Sequence, residues 1–198
     1  MEFGYDRYRV DQIIRPIANL YRVTPLAVGE TPAGPPVAYV RQKKLKIKEE
    51  IHFFGDEKQT NELFRIKARS AFDTGSARYD VLAGEQKIGL LWHKFTASLV
   101  RTTWHLGGPA DEEVAIARER SQVGALARRV IDFVPGGELV PIRYNFEILI
   151  DGAAVGHLTR TWGVRDTYFL DLSGDAEKRI DRRLAIALAV GLDTLQNR

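Results

Sequence analysis

The run LAIALAVGL, Leu184 to Leu192, holds nine consecutive apolar residues. At 3.6 residues per helical turn, a run of that length covers the whole circumference and leaves no face for water. The flanking sequence extends the expected helix from about Ala176 to Gln196. Such a helix has to be surrounded. A hydrocarbon core does not suit it: a membrane span takes about 20 apolar residues, and Asp181, Arg182, Arg183 and Asp193 bracket this run closely. The rest of the chain has to supply the surroundings.

That rest reads as β-structure. In LFRIKARS, Phe64, Ile66 and Ala68 face one way while Arg65, Lys67 and Arg69 face the other, the period of a strand with one wet face. ARYDVLAG and QKIGLLWHKF, parted by a turn near Ala83 to Glu85, read as a hairpin, with SLVRTTWHLG as its neighbour. YNFEILI and AVGHLTRTW flank Asp151-Gly152, a strong hairpin signal, and RDTYFLDLS follows as a further strand. Nine or ten strand candidates emerge in this way. A sheet encloses a helix on every side by closing on itself, and closure also removes exposed edges. The expected fold is therefore mainly β: a closed antiparallel barrel around a central hydrophobic C-terminal helix.

Two segments fall outside this pattern. Five of the eight prolines lie in the first 36 residues, and GETPAGPP punctuates the end of that stretch, so residues 1–36 read as an arm or linker ahead of a barrel domain at 37–198. Within the arm, Ile13, Ile14, Ile17, Leu20 and Tyr21 follow helical spacing behind Asp11, which suggests a short helix or strap. A surface helix is expected from Ser121, with Val123, Leu126, Ala127, Val130 and Ile131 as its apolar stripe.

The chain of 198 residues is 44% hydrophobic and 28% charged, the composition of a globular domain rather than of a disordered or coiled-coil protein. It has no cysteine, which excludes disulfides, thiolate metal sites and a cysteine nucleophile. The first residues carry acids and no long apolar stretch, so a secretory signal is not expected and a cytoplasmic location is.

Three strings carry a family resemblance: VAYVRQKKLKIKEEIHFFGDEKQTNELFRIKARS, ARYDVLAGEQKIGLLWHKFTASLVRTTWHL and YFLDLSGDAEKRIDRRLAIALAVGLDTLQ. Together they resemble the LURP-one-related proteins, which are grouped with phospholipid scramblases and the tubby C-terminal domain. The resemblance implies a barrel of about twelve antiparallel strands around the C-terminal helix. It also implies, without settling, a link to phospholipids, since tubby-like domains bind phosphoinositides through basic surface side chains. Scramblases carry an acidic, calcium-linked segment before the last helix. Asp166, Asp171, Asp175 and Glu177 stand there in this chain, without EF-hand spacing.

The formal charge is only +3, so the placement of the cations matters more than their sum. Val37 to Ser70 holds nine bases against five acids. Alternation puts Lys44, Lys46 and Lys48 in one outward row and Arg65, Lys67 and Arg69 in a second. If their strands are neighbours, the six make a patch suited to anionic lipid headgroups. The plainer reading is a solvated strand face. Enzymatic strings are absent: His52, His93, His105 and His157 sit on four different strand candidates without zinc spacing, and no P-loop, GxSxG or GxGxxG occurs. No cofactor, metal site or nucleic-acid partner is expected. The expectation is a non-enzymatic module, either a peripheral binder of anionic phospholipid or, alternatively, a protein-interaction scaffold or sensor working through its proline-rich arm.

Overall fold

Apolar and polar side chains alternate along nearly every described segment, and that alternation builds one wall. The computed structural model describes residues 3–14, 18–43, 50–69, 76–94, 103–120, 145–161 and 166–195. Its strands are β1 (Arg7–Ile14), β2 (Ala18–Pro25), β3 (Ala38–Lys43), β4 (Glu50–Phe54), β5 (Glu62–Ala68) and β6 (Ser76–Ala83). They continue as β7 (Gln86–Lys94), β8 (Thr103–Gly107), β9 (Glu113–Glu119), β10 (Asn145–Ile150), β11 (Ala153–Thr161) and β12 (Thr167–Asp171). Each strand pairs antiparallel with its sequence neighbours, and β12 returns to β1 to close the barrel, from Arg7 opposite Asp171 to Asp11 opposite Thr167. The mainly β class and the twelve-stranded closed barrel are as expected.

Helix α1 (Arg182–Leu195) fills the barrel. From Leu184 to Val190 no residue is more than 2% exposed. Inward side chains from all twelve strands complete one core, Phe53, Phe64, Leu91, Trp104 and Ile148 among them. Wall and helix meet without slack: a Cβ on Gly89 would lie 2.5 Å from the Gly107 carbonyl oxygen and 3.0 Å from the Leu184 side chain. Only glycine fits there.

The N-terminal 36 residues are not an arm. Residues 7–14 and 18–25 form β1 and β2, which complete the barrel, and their inward residues Tyr8, Val10, Tyr21 and Val23 are at most 1% exposed. The apparent helical spacing arises because two strands of period two follow one another in sequence; residues 15–17 lie outside the described residues. The proline-rich stretch is the β2–β3 connection, tied back through the amide of Ala33 to the Pro25 carbonyl at 2.9 Å.

Two further differences concern single elements. Helix α1 begins at Arg182 rather than near Ala176, because the Asp175 carboxylate takes the amides of Arg179 (2.9 Å) and Ile180 (3.0 Å) into a turn. Asp181 then caps the helix by accepting the Arg183 amide at 2.8 Å. Strand β9 was not legible because its inward positions, Ala115 and Ala117, are alanines rather than β-branched residues. The helix expected from Ser121 lies outside the described residues.

Candidate functional site

Strand β5 carries the second cationic row outward, as alternation requires: Phe64 and Ile66 are buried, and Arg65, Lys67 and Arg69 face outward. Two of the three are matched by acids. Arg65 reaches Glu62 at 3.1 Å and Glu85 at 3.4 Å. Arg69 reaches Asp80 and Asp111, each at 2.8 Å, and Lys87 contacts the same Asp111. Hydrogen bonds from Lys87 and then Arg69 hold the Asp111 carboxyl below the ordinary carboxylate range. Lys67 is exposed and has no ion pair among the described residues. Lys44, Lys46 and Lys48 lie outside the described residues. Their segment lies between β3 and β4 in sequence, so the structure describes the second row and not its relation to the first.

On the outer wall of those strands lies a groove of about 310 Å³ lined by Arg41, His52, Phe54, Lys58, Gln59 and Glu62. Its turn is built by Asp56, whose carboxylate accepts the amides of Asn61 (2.8 Å) and Thr60 (3.0 Å), while the Gly55 amide reaches the Asn61 carbonyl at 2.9 Å. Those bonds, the Asn61 amide first, depress the Asp56 pKa. Gln59 adopts the left-handed conformation (φ 61°) and accepts a 3.3 Å hydrogen bond from the Arg41 guanidinium. The partner of Arg41 is thus neutral. Lys58, exposed on the same turn, has no carboxylate partner among the described residues.

His52 stacks beside Phe54, with ring centroids 6.1 Å apart and planes at 23°. Its Nδ1 lies 2.7 Å from Glu62 and its Nε2 3.7 Å from Glu50. Burial works to raise the Glu62 pKa, but the hydrogen bonds from His52 and Arg65 outweigh it and hold the group below the ordinary value. Sequence reading missed this groove. Arg41 and Lys58 were visible only as members of a basic stretch, and the turn that brings Lys58 toward Arg41 has no signal beyond Gly55-Asp56.

The family model described as LURP-one-related matches residues 37–193. The chain belongs to the LURP-one-related family. No curated protein matches it. The matched stretch begins at Val37, so β1 and β2 lie outside it, although the barrel of this LURP-one-related chain closes through them.

The acidic segment before α1 has structural partners. Asp166 pairs with Arg160 at 2.5 Å, and Asp171 pairs with Arg7 at 2.8 Å while accepting the Ser173 amide. Asp175 pairs with Arg182 at 2.7 Å. Among the described residues, no three His, Asp or Glu side chains are grouped to hold a metal. The histidines remain apart: His93 packs inside the barrel 4.6 Å from the Trp104 ring, and His105 stacks on Trp92 outside at 4.9 Å. A second outer groove, about 500 Å³, runs beside β10 to β12 past Glu147, His157 and Asp171, and two carboxylates suit it poorly to an anion. Among the described residues, no helix is long and apolar enough to cross a membrane.

Proposed function

We propose that this chain is a non-enzymatic module that binds the anionic headgroup of a phospholipid at a membrane surface, with the groove between β3 and β5 as the headgroup site. One observation carries the reading: Arg41 and Lys58 reach the same concavity from a strand and from a turn, and neither is neutralised by a carboxylate among the described residues. An arginine offers a bidentate fork to phosphate and a lysine a point charge. Lys67 on β5, and Lys44, Lys46 and Lys48 in the segment joining β3 to β4, add long-range attraction to an anionic surface, about 1 kcal/mol for each cation near the bilayer. Arg65 and Arg69 contribute less, since their charge is already matched. The proposed setting is the cytoplasmic leaflet, with the protein held peripherally. The scaffold alternative leaned on a free proline-rich arm, and residues 7–14 and 18–25 of that arm are barrel strands.

Vesicle cosedimentation at low salt tests the proposal. The expected result is binding to phosphatidylcholine vesicles that contain phosphatidylglycerol, little binding to phosphatidylcholine alone, and loss of the difference in Arg41→Glu/Lys58→Glu. Both positions are exposed, so the variant should fold normally. Equal binding to the two vesicle types would overturn the reading.

A further inference from the structure

His52 occupies a position in the groove that neither cation explains. Its ring lines the cavity beside Arg41 and Lys58, and Phe54 packs against it. The charged groups facing it are Glu50 on its own strand, Glu62 and Arg65 on β5, Arg41 on β3 and Lys58 on the turn. Glu62 is ionised at neutral pH, and an ionised carboxylate only accepts hydrogen bonds. The 2.7 Å contact therefore requires the proton on Nδ1. In the neutral ring, Nε2 then carries a lone pair, which repels an anion. Protonation converts that same atom into a charged donor.

We infer that His52 makes anion binding in this groove proton-linked, so that affinity for an anionic headgroup rises as pH falls. The inference rests on the groove being the headgroup site. Histidine is the side chain that ordinarily changes charge between about pH 5 and 8, and Glu62 keeps its charge across that interval. The groove thus gains one positive charge and one donor on acidification. Glu50 competes for the new donor. Its 3.7 Å separation from Nε2 is longer than a hydrogen bond, which leaves the donor available to a ligand.

The test uses the full chain, phosphatidylcholine vesicles containing phosphatidylglycerol, and inorganic sulfate, two probes whose charge is constant over this range. Wild-type protein should bind the vesicles about tenfold more tightly near pH 5.5 than near pH 8, the scale of one charge-assisted hydrogen bond. His52→Gln should flatten that profile. His105→Gln, which alters a histidine outside the groove, should keep it and so controls for the general gain of positive charge. Linkage is reciprocal, so saturating sulfate should move the His52 ring titration, followed by nuclear magnetic resonance, to higher pH. Identical pH profiles for wild type and His52→Gln, or an unmoved ring titration with sulfate bound, would overturn the inference while leaving the headgroup site standing. No preference for anionic vesicles at any pH would remove both.

Discussion

Two ionic clusters of this barrel use the same side chains and do different work. At the root of α1, Arg182 is 4% exposed and donates to Asp175 at 2.7 Å and Asp6 at 2.6 Å; Asp175 is itself 3% exposed. On the outer wall, Arg69 and Lys87 share Asp80 and Asp111 at the partly exposed surface, with the Asp111 side chain 42% exposed. Solvent separates the two cases. Water screens the outer cluster and competes for each of its partners, so it adds little to stability. The Arg182–Asp175 pair has lost its hydration, and removing one member takes from the other its only buried charge partner, since Asp6 is 43% exposed. The inner cluster therefore anchors the helix that fills the barrel, and the outer one mainly decides which cations remain available to a ligand.

The sharpest break of this contrast is Asp175→Ala. It removes one of the two carboxylates paired with the buried Arg182, leaving Asp6, and frees the amides of Arg179 and Ile180, so urea unfolding should report a loss of about 1–3 kcal/mol. A loss under about 1 kcal/mol would mean that the helix root does not depend on the pair.

Acid acts in the same direction. Burial alone would raise the Asp175 pKa, but the Ile180 amide, Arg182 and the Arg179 amide outweigh it and lower the folded value below the unfolded one. The associated stability is present above the ordinary aspartate value of about 3.9 and is lost as pH falls through the lower folded value. Thermal melts between about pH 5 and 2.5 should show wild type losing more stability than Asp175→Ala. Parallel losses would contradict the linkage.

The smallest effect belongs outside. Asp111→Asn keeps a side chain that tolerates the left-handed backbone at this position (φ 69°) while removing the charge shared by Arg69 and Lys87. Its unfolding free energy from urea titration should change by less than about 0.5 kcal/mol. Because it removes one of the two carboxylates that Arg69 and Lys87 share and leaves Asp80 to both, binding to anionic vesicles should rise modestly. A large destabilisation would show that the outer cluster is structural after all.

Much of the fold was legible in local pattern. Nine apolar residues from Leu184 demanded an enclosing wall, and the Asp151-Gly152 hairpin has the positive φ values, 51° and 82°, that its dipeptide announces. The strands that close the barrel were not legible. β1 pairs with β12 across most of the chain length, and no local periodicity reports such a pairing. The site was half legible. Alternation placed Arg65, Lys67 and Arg69 outward, but their acid partners come from β6, two turns and a neighbouring position on β5 itself.

The sequence by itself determined which faces are apolar, because side-chain direction follows from helical and strand periods alone. It thereby settled that a helix is enclosed and that cations line the outer wall. Tertiary structure decided which of those cations is free. Charge matching depends on cross-strand register and on the reach of turns such as Gly55 to Asn61, and both exist only once the barrel has closed. Arg69, prominent in the sequence, is neutralised by that geometry, and Arg41, unremarked in its basic stretch, is left facing a groove with Lys58.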